Sequence, residues 1–457
     1  MPVQVEEILG KLREHGYEAF AVGGCVRDAI LGRIPGDWDI TTSAKPEEVK
    51  AIFHRTIDTG IQHGTVTVLV DREILDDGSG SLASHTDYAF EVTTYRVDGV
   101  YTDHRRPESV CFTASLEEDL KRRDFTINAM AYNPEQGVID IFGGQEDLEK
   151  GIIRCVGEAS ERFDEDALRI LRAVRFAAQL DFVIEDQTRK AMRDQAKFLK
   201  DISVERICTE LTKMIVSKHP ERLEEAYELG LTQMFLPEFD VMMQTPQNNQ
   251  YHLYDVGHHT LKVMEAVPAT MVLRYAALLH DVGKPKCKTT DETGVDHFYG
   301  HQELSAKMAR TILRRLKLDN DTIDQVCRLV RNHDYGLSGD GPGMKSFRRF
   351  VAQLGAEHFA DFLEIRKGDM AGQSAYHLEQ RRQVIAHMEA MYAEIIEQKQ
   401  CLKLSELAIG GKDLIAIGVK PGPDMGRILK ALLDRVLEEP ELNTREQLLA
   451  IVKESYL

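Results

Sequence analysis

The sequence predicts a multidomain chain: an N-terminal α/β domain followed by all-α domains. Three observations lead there. First, 457 residues exceed what one ordinary core fills, so roughly two to four domains are expected. Second, up to about residue 150 short β-forming runs alternate with helical patterns. Third, strand signals nearly vanish beyond that point, and helical periodicity is broken chiefly near TPQNNQ, SGDGPG and KPGPD. The expected divisions are 1–150, 151–245, 246–375 and 376–457.

In chain order, residues 5–15 read as an amphipathic helix, and AFAV at 19–22 as a short strand. Gly23-Gly24 then opens a helix over 26–31. A strand runs through 39–41, followed by a helix introduced by Ser43 and Pro46. HGTVTVLV and YAFEVTTYRV are rich in strong β formers, and DDGSGSLASHT at 76–86 reads as a hairpin loop. ERFDEDALRILRAVRFAAQLDF is helical, with apolar residues at 168, 171, 174 and 177 or 178.

Composition narrows the class. The hydrophobic fraction is 43% and the charged fraction 29%, as in a globular protein and unlike a disordered chain. No apolar run approaches the roughly 20 residues of a membrane span, and the N-terminal helix lacks the apolar core of a signal peptide. Seven scattered cysteines with no CxxC pair point to reduced thiols in a cytoplasm. The net charge of -18 argues against a polyanionic partner as a whole-molecule average. Yet residues 150–200 carry 11 Lys or Arg against 9 Asp or Glu, a locally basic strip.

The chemistry of the first domain centres on GDWDITT. Spacing two in a strand sets Asp37 and Asp39 on one face, with Trp38 expected opposite them in the core. Two like charges so close repel, and a cation between them relieves the conflict. Hard oxygen ligands of this kind suit Mg²⁺ held together with substrate phosphates. The pair alone reads equally as two surface aspartates. Gly23-Gly24 lies at a strand-to-helix turn, where backbone N–H groups can meet a triphosphate, and Arg27 follows in the first helical turn, where it can also pair with Asp28. Glu91 faces away from Phe90 and Val92, either as a third carboxylate or on a solvated strand face. Asp124 and Asn128, after Arg123, are four apart and on one side of a helix, placed to bind a ribose or one another.

GGCVRD, GDWDITT, EVTTYR, RRDFTINAMAYN and ERFDEDALRILRAVRF occur in that order. The chain thereby resembles the bacterial class II tRNA nucleotidyltransferases, the CCA-adding enzymes and their relatives the poly(A) polymerases. The resemblance is dense over residues 1 to about 240, and the stretch from LKLSELAIGG to LLDRVLEEP resembles the family's tail. It implies a polymerase-β-like head, tRNA, CTP and ATP as partners, and two Mg²⁺ ions on Asp37 and Asp39 with Glu91 beside them. It further implies that Gly23, Gly24 and Arg27 hold the triphosphate, and that Arg123, Asp124 and Asn128 orient nucleotide and ribose.

Base choice is assigned to EDALR. Asp166 and Arg169 are three apart on an expected helix, hence neighbours, and would otherwise form a surface ion pair. Cytosine and adenine share an exocyclic amine where uracil and guanine carry a carbonyl, so a carboxylate accepts from the first two and repels the others. Arg169 can donate to the adjacent ring nitrogen. In the family these positions act as an amino-acid template. Arg172 and Arg175 extend the basic strip, either towards tRNA phosphates or as solvated charges. Arg105 and Arg106 lie in YRVDGVYTDHRRPESVCF, which resembles the family's flexible loop for terminal A addition; they could also bind tRNA backbone.

A second constellation follows in HLYDVGHHTLKVM, LRYAALLHDVGKP, FYGHQELSA, LVRNHDYG and IRKGDMAG. It resembles the HD superfamily of metal-dependent phosphohydrolases, and implies a metal site of His259, His280, Asp281 and Asp369, with His301 and His333 as further ligands. His258 and His252 are neighbouring alternatives. Imidazole with carboxylate suits Mn, Fe, Co, Ni, Zn or Mg alike. A metal-free HD fold serving as a spacer is the alternative. Template-independent CCA addition is therefore expected. Poly(A), CC-only or A-only addition remain open beside it, as does a phosphohydrolase with a non-catalytic RNA-binding head.

Overall fold

Buried β-forming runs pair wherever the chain returns beside them, and the first third of the sequence does this repeatedly. The computed structural model describes residues 1–70, 88–99, 110–336 and 341–456, which divide into two compact units, Met1–Pro237 and Glu238–Leu457. Arg105, Arg106 and the 76–86 segment lie outside the described residues.

The first unit contains β1 (Ala19–Val22), β2 (Ile40–Thr42), β3 (Thr56–Gly60), β4 (Thr65–Val70), β5 (Tyr88–Thr94), β6 (Arg96–Asp98), β7 (Val110–Phe112), β8 (Met130–Asn133) and β9 (Gly137–Asp140). Seven of them form one mixed sheet in the order β3-β4-β5-β2-β1-β8-β9, while β6 and β7 pair separately. β1 and β2 lie inside the sheet, and all their residues are buried. β3, at an edge, is mostly exposed. β2 runs parallel to β5, with Ile40 opposite Val92. Asp39 and Glu91 immediately precede this pair of residues, Asp39 in the segment leading into β2 and Glu91 within β5.

Three expectations change here. β2 begins at Ile40, so Asp37 and Asp39 lie in the irregular segment before it. Strand alternation does not govern that segment, and Trp38 is half-buried instead of packed in the core. Asp124 and Asn128 do not share an α-helix: Phe125 is extended, and only a short 3-10 turn, Thr126–Asn128, follows. EDALR is not one helix either. Asp166 is extended (φ -144, ψ 100) and separates the helix Ala159–Glu165 from the helix Leu168–Leu180.

Leu168–Leu180 is buried on more than the expected stripe, Ile170, Ala173 and Phe176 included. It packs on the helix Val204–Ile215, among others, which explains the wide apolar surface. Buried with it are two charges, Arg175 and, from the second helix, Glu210, 2.8 Å apart. Glu210→Ala leaves the buried guanidinium without its carboxylate partner. We expect a loss of about 3–5 kcal/mol of stability, measured by denaturant unfolding against wild type.

In the second unit Val256–Ala266 packs on Phe359–Ala371, and Met271–Leu279 packs on Asn320–Asn332. Side-chain caps fix where these helices begin: Asp255 accepts from His258 N–H (2.9 Å), Thr270 from Leu273 N–H and Asp319 from Thr322 N–H. The tail has its own apolar cluster, including Leu414, Leu432, Leu448 and Val452. Among the described residues no helix is long and apolar enough to cross a membrane.

Candidate functional site

In the first unit the motifs converge around the turn after β1. Gly23 has φ +83, and a Cβ there would meet the Arg123 guanidinium at 2.9 Å, so both conformation and space call for glycine. Its N–H is taken by the Met130 carbonyl (3.1 Å), so this amide serves the sheet and does not point to a ligand. Arg27 is buried; it donates to Asn128 Oδ1 (2.7 Å) and Asp28 Oδ1 (2.9 Å), and its guanidinium lies over the Phe176 ring. Asn128 donates onward to Asp124 Oδ1 (3.1 Å), whose other oxygen accepts from Arg172 (2.8 Å). Of the two expectations for Asp124 and Asn128, they bind one another. Burial alone would raise the Asp124 carboxyl. Arg172, the Asn128 amide and Arg169 outweigh it and hold it well below the usual range.

Asp37, Asp39 and Glu91 are all exposed. The Asp39 carboxyl is pushed up by partial desolvation, opposed by Arg123 and reinforced by the negative charge of Asp37. Two repelling carboxylates of this kind fit a divalent cation, which would remove that repulsion. Sequence reasoning missed Asp119. Fully buried, it accepts from Thr41 Oγ1 (3.1 Å) and Arg122 (2.7 Å), with Arg123 at 3.6 Å, and so anchors the arginines to β2. The signal was present in EEDLKRRD, where Asp119 stands three and four residues before the arginines.

Asp166 accepts from the first residue of the helix that follows it, at Leu168 N–H (3.1 Å), and from Arg206 (2.7 Å). Arg169 is buried and donates to Glu165 and to the carbonyls of Arg162 (3.0 Å) and Arg122 (2.8 Å). The break at Asp166 thus gives each residue partners of its own, Arg206 and Glu165, neither of which was foreseen. Arg172 and Arg175 differ from expectation as well. Arg175 is neither solvated nor surface-facing, because Glu210 and Gln179 (2.8 Å each) hold it inside. Arg172 is half-buried between Asp124 and Glu210.

In the second unit the six expected ligands come together, all buried. They form two groups, His259, His280 and Asp369, and Asp281, His301 and His333. Asp281 faces both: Oδ2 lies 3.1 Å from His280 Nε2 and 3.6 Å from His259 Nε2, and Oδ1 lies 3.3 Å from His301 Nε2 and 3.6 Å from His333 Nε2. Asp369 is 3.0 Å from His259 Nε2, so its unusual GDMAG setting does not displace it. Each imidazole places Nδ1 against a backbone carbonyl: His259 on Gly372 (3.1 Å), His280 on Ala277 (2.7 Å), His301 on Phe298 (2.8 Å) and His333 on Val330 (2.7 Å). Carbonyls only accept, so the proton sits on Nδ1 and all four Nε2 atoms face the cluster with a lone pair free to meet a cation. A Cβ at Gly372 would come within 2.9 Å of His259 Nδ1, which explains glycine there.

His258 instead turns to Asp255, and His252 packs its ring against His259 outside both groups. Burial and Lys284 push His252 down to about 3. Burial would raise Asp281, but His280 and Lys284, the latter at 2.7 Å, overcome it and hold the carboxylate well below its ordinary range. Lys284, Gln373 and Arg366 were not singled out from the sequence. Gln373 donates to both Asp369 oxygens (3.0 and 3.1 Å), and Arg366 donates to the His333 carbonyl (2.9 Å) beside Asp369.

Residues 19–154 match the poly A polymerase head domain. Residues 181–243 match an RNA- and SrmB-binding site of polymerase A, and 289–452 match tRNA nucleotidyltransferase domain 2. Fold and head together define the class, a nucleotidyltransferase of the polymerase A type. The chain is 38% identical over 446 residues to the CCA-adding enzyme of Lactiplantibacillus plantarum, covering 97% of this chain and 93% of that one. It is 35% identical over 456 residues to that of Leuconostoc mesenteroides, covering 99% and 96%. Among solved structures it is similar to the Bacillus stearothermophilus CCA-adding enzyme in complex with CTP, with TM-score 0.69, 31% identity and coverage of 99% and 97%. The chain belongs to the CCA-adding enzyme family.

Proposed function

We propose that this chain adds CCA to the 3′ end of tRNA, transferring CMP and AMP from CTP and ATP without a nucleic-acid template. One observation carries the catalytic reading: β2 runs parallel to β5 with Ile40 opposite Val92, so the segment carrying Asp37 and Asp39 enters the sheet beside the strand that carries Glu91. Asp37, Asp39 and Glu91 would hold Mg²⁺. Such ions lower the barrier by activating the attacking 3′ hydroxyl and neutralising charge on the phosphates. Gly24 and Arg27 hold the triphosphate, with Gly23 shaping the turn that presents them. Arg123, Asp124 and Asn128 set the nucleotide and ribose, the last two through the network that joins Arg27 to Arg172.

Asp166 and Arg169 choose the base. A carboxylate has about four acceptor positions, and Leu168 N–H and Arg206 orient Asp166 while leaving capacity for an exocyclic amine. Arg169, pinned by Glu165 and two carbonyls, presents its guanidinium in a fixed pose. Arg105 and Arg106 are assigned to the tRNA backbone. In this reading 1–150 is the head, 151–245 the neck, 246–375 the HD domain and 376–457 the tRNA-binding tail, in a cytoplasmic protein. The test offers tRNA ending at the discriminator base with CTP and ATP, singly and together, and sequences the products. CCA ends are expected; poly(A), CC-only or A-only ends would each replace this reading.

A second activity rests on the six-residue cluster. We infer that it binds two divalent ions, one per group, with Asp281 shared. The donor set fits, because four Nε2 atoms and two carboxylates converge with their protons already turned outward. Ions there would activate water against a phosphoester. Lys284 holds Asp281 in place, and Gln373 orients Asp369.

A further inference from the structure

A cavity of about 860 Å³ opens over the His–Asp cluster. That is the size of a small-molecule site, far more than a phosphate group occupies. One wall is the hairpin in which Thr289–Thr290 pairs with Asp296–His297, together with the residues running on to His301. Tyr299 stands on this wall, 80% exposed. Its ring stacks on the His297 imidazole, with centroids 5.4 Å apart and planes 6° from parallel.

The hairpin itself holds this pair in place. His297 Nε2 lies 2.8 Å from the Asp291 carboxylate. The same carboxylate accepts from Thr293 Oγ1 (2.6 Å) and from the backbone N–H groups of Thr293 (2.9 Å) and Val295 (3.1 Å). An aromatic surface already built costs little conformational entropy when a ligand arrives. Two residues further on, His301 enters the cluster, so the platform and a cluster ligand are separated by at most about 7 Å of chain. Lys284 and Arg381 line the same cavity. Asp296 and Asp334 line it too, Asp334 at 3.3 Å from His301 Nε2; two divalent ions with Lys284 and Arg381 would more than balance these two carboxylates and those of Asp281 and Asp369, and the site would then favour an anion.

We propose that Tyr299, backed by His297, is a nucleobase-stacking platform. The cavity then takes a nucleoside phosphate, its base on the Tyr299 ring and its phosphate towards the cluster. The phosphate half rests on the phosphohydrolase reading; the stacking half rests on the ring pair alone. A free nucleotide and the terminal nucleotide of an RNA share this chemistry.

The experiment titrates full-length protein in Mg²⁺ with two fluorescent probes, 2-aminopurine riboside 5′-monophosphate and a short RNA carrying 2-aminopurine at its 3′ end. The fluorescence of this base is quenched when it stacks. Tyr299→Ala is expected to weaken binding of the matching probe about tenfold and to remove its quenching, while Tyr299→Phe retains both. The probe that responds identifies the source. If Tyr299→Ala binds and quenches both probes as wild type does, the platform is refuted. His280→Ala is assayed in parallel for metal content. Full metal retention there, with the Tyr299→Ala loss intact, removes the hydrolase reading and leaves the platform standing. Loss of metal with an unchanged Tyr299→Ala titration does the reverse.

Discussion

Asp37→Ala is expected to stop addition of every nucleotide, whereas Asp166→Ala is expected to keep addition and lose discrimination. Asp37 and Asp39 repel one another in the free protein, and Asp39 is pushed up partly for that reason. Removing one of them removes the means of holding a cation against the triphosphate. The loss is several kcal/mol of transition-state stabilisation, hence roughly three orders of magnitude in rate with CTP and ATP alike. Asp166 lies about 130 residues away in sequence and touches neither carboxylate through any contact described above. Its loss leaves Arg206 without this acceptor and the base edge without a carboxylate, so UTP and GTP gain by about tenfold or more relative to CTP and ATP. Single-turnover rates with each of the four triphosphates separate the two variants. Normal rates for Asp37→Ala would overturn the catalytic reading, and unchanged selectivity for Asp166→Ala would overturn the template.

The second large effect is expected from His280→Ala. Its Nε2 lies 3.1 Å from Asp281 and 3.3 Å from His259 Nε2, at the centre of one metal group. Burial would push this imidazole down, yet Asp281 and Asp369 raise it, a sign of how strongly the cluster favours positive charge. Without His280 that group keeps His259, Asp369 and the shared Asp281 oxygen, one imidazole short of its set. Metal content measured by mass spectrometry should fall from about two ions per chain to one or fewer, with phosphodiesterase activity down by at least about a hundredfold. CCA addition should continue at the wild-type rate, because the residues assigned to catalysis and base choice lie in the other unit. Unchanged metal content in His280→Ala would refute the two-ion cluster.

Much of this was legible in the sequence. The strands of the head announced themselves as short β-rich runs, and AFAV and HGTVTVLV became β1 and β4. The six cluster residues could be picked out because they lie on helices or in the turns that follow them, and the structure brings His259 to the cluster while His258 turns to Asp255. What misled was local spacing read as regular structure. Asp166 and Arg169 are three apart, but the chain is extended at Asp166. Asp37, Trp38 and Asp39 alternate in sequence, but the strand begins only after them.

Sequence alone determined which residue types carry the chemistry and where helices start, since caps such as Asp255 and Asp319 act on amides two or three residues away. It also determined the order of the motifs. Tertiary structure alone decided which charges face outward. Arg172 and Arg175 looked like a basic strip until a second helix brought Glu210 against them, and Asp119 became an anchor only when β2 delivered Thr41. It likewise turned the His259 imidazole, because the Gly372 carbonyl that accepts from its Nδ1 is 113 residues away, while His280, His301 and His333 use carbonyls three residues back. The physical reason is one of range. Caps and turns are satisfied by near neighbours, whereas a buried charge such as Arg175 or Asp119 is satisfied by whatever distant group packing brings within hydrogen-bond distance.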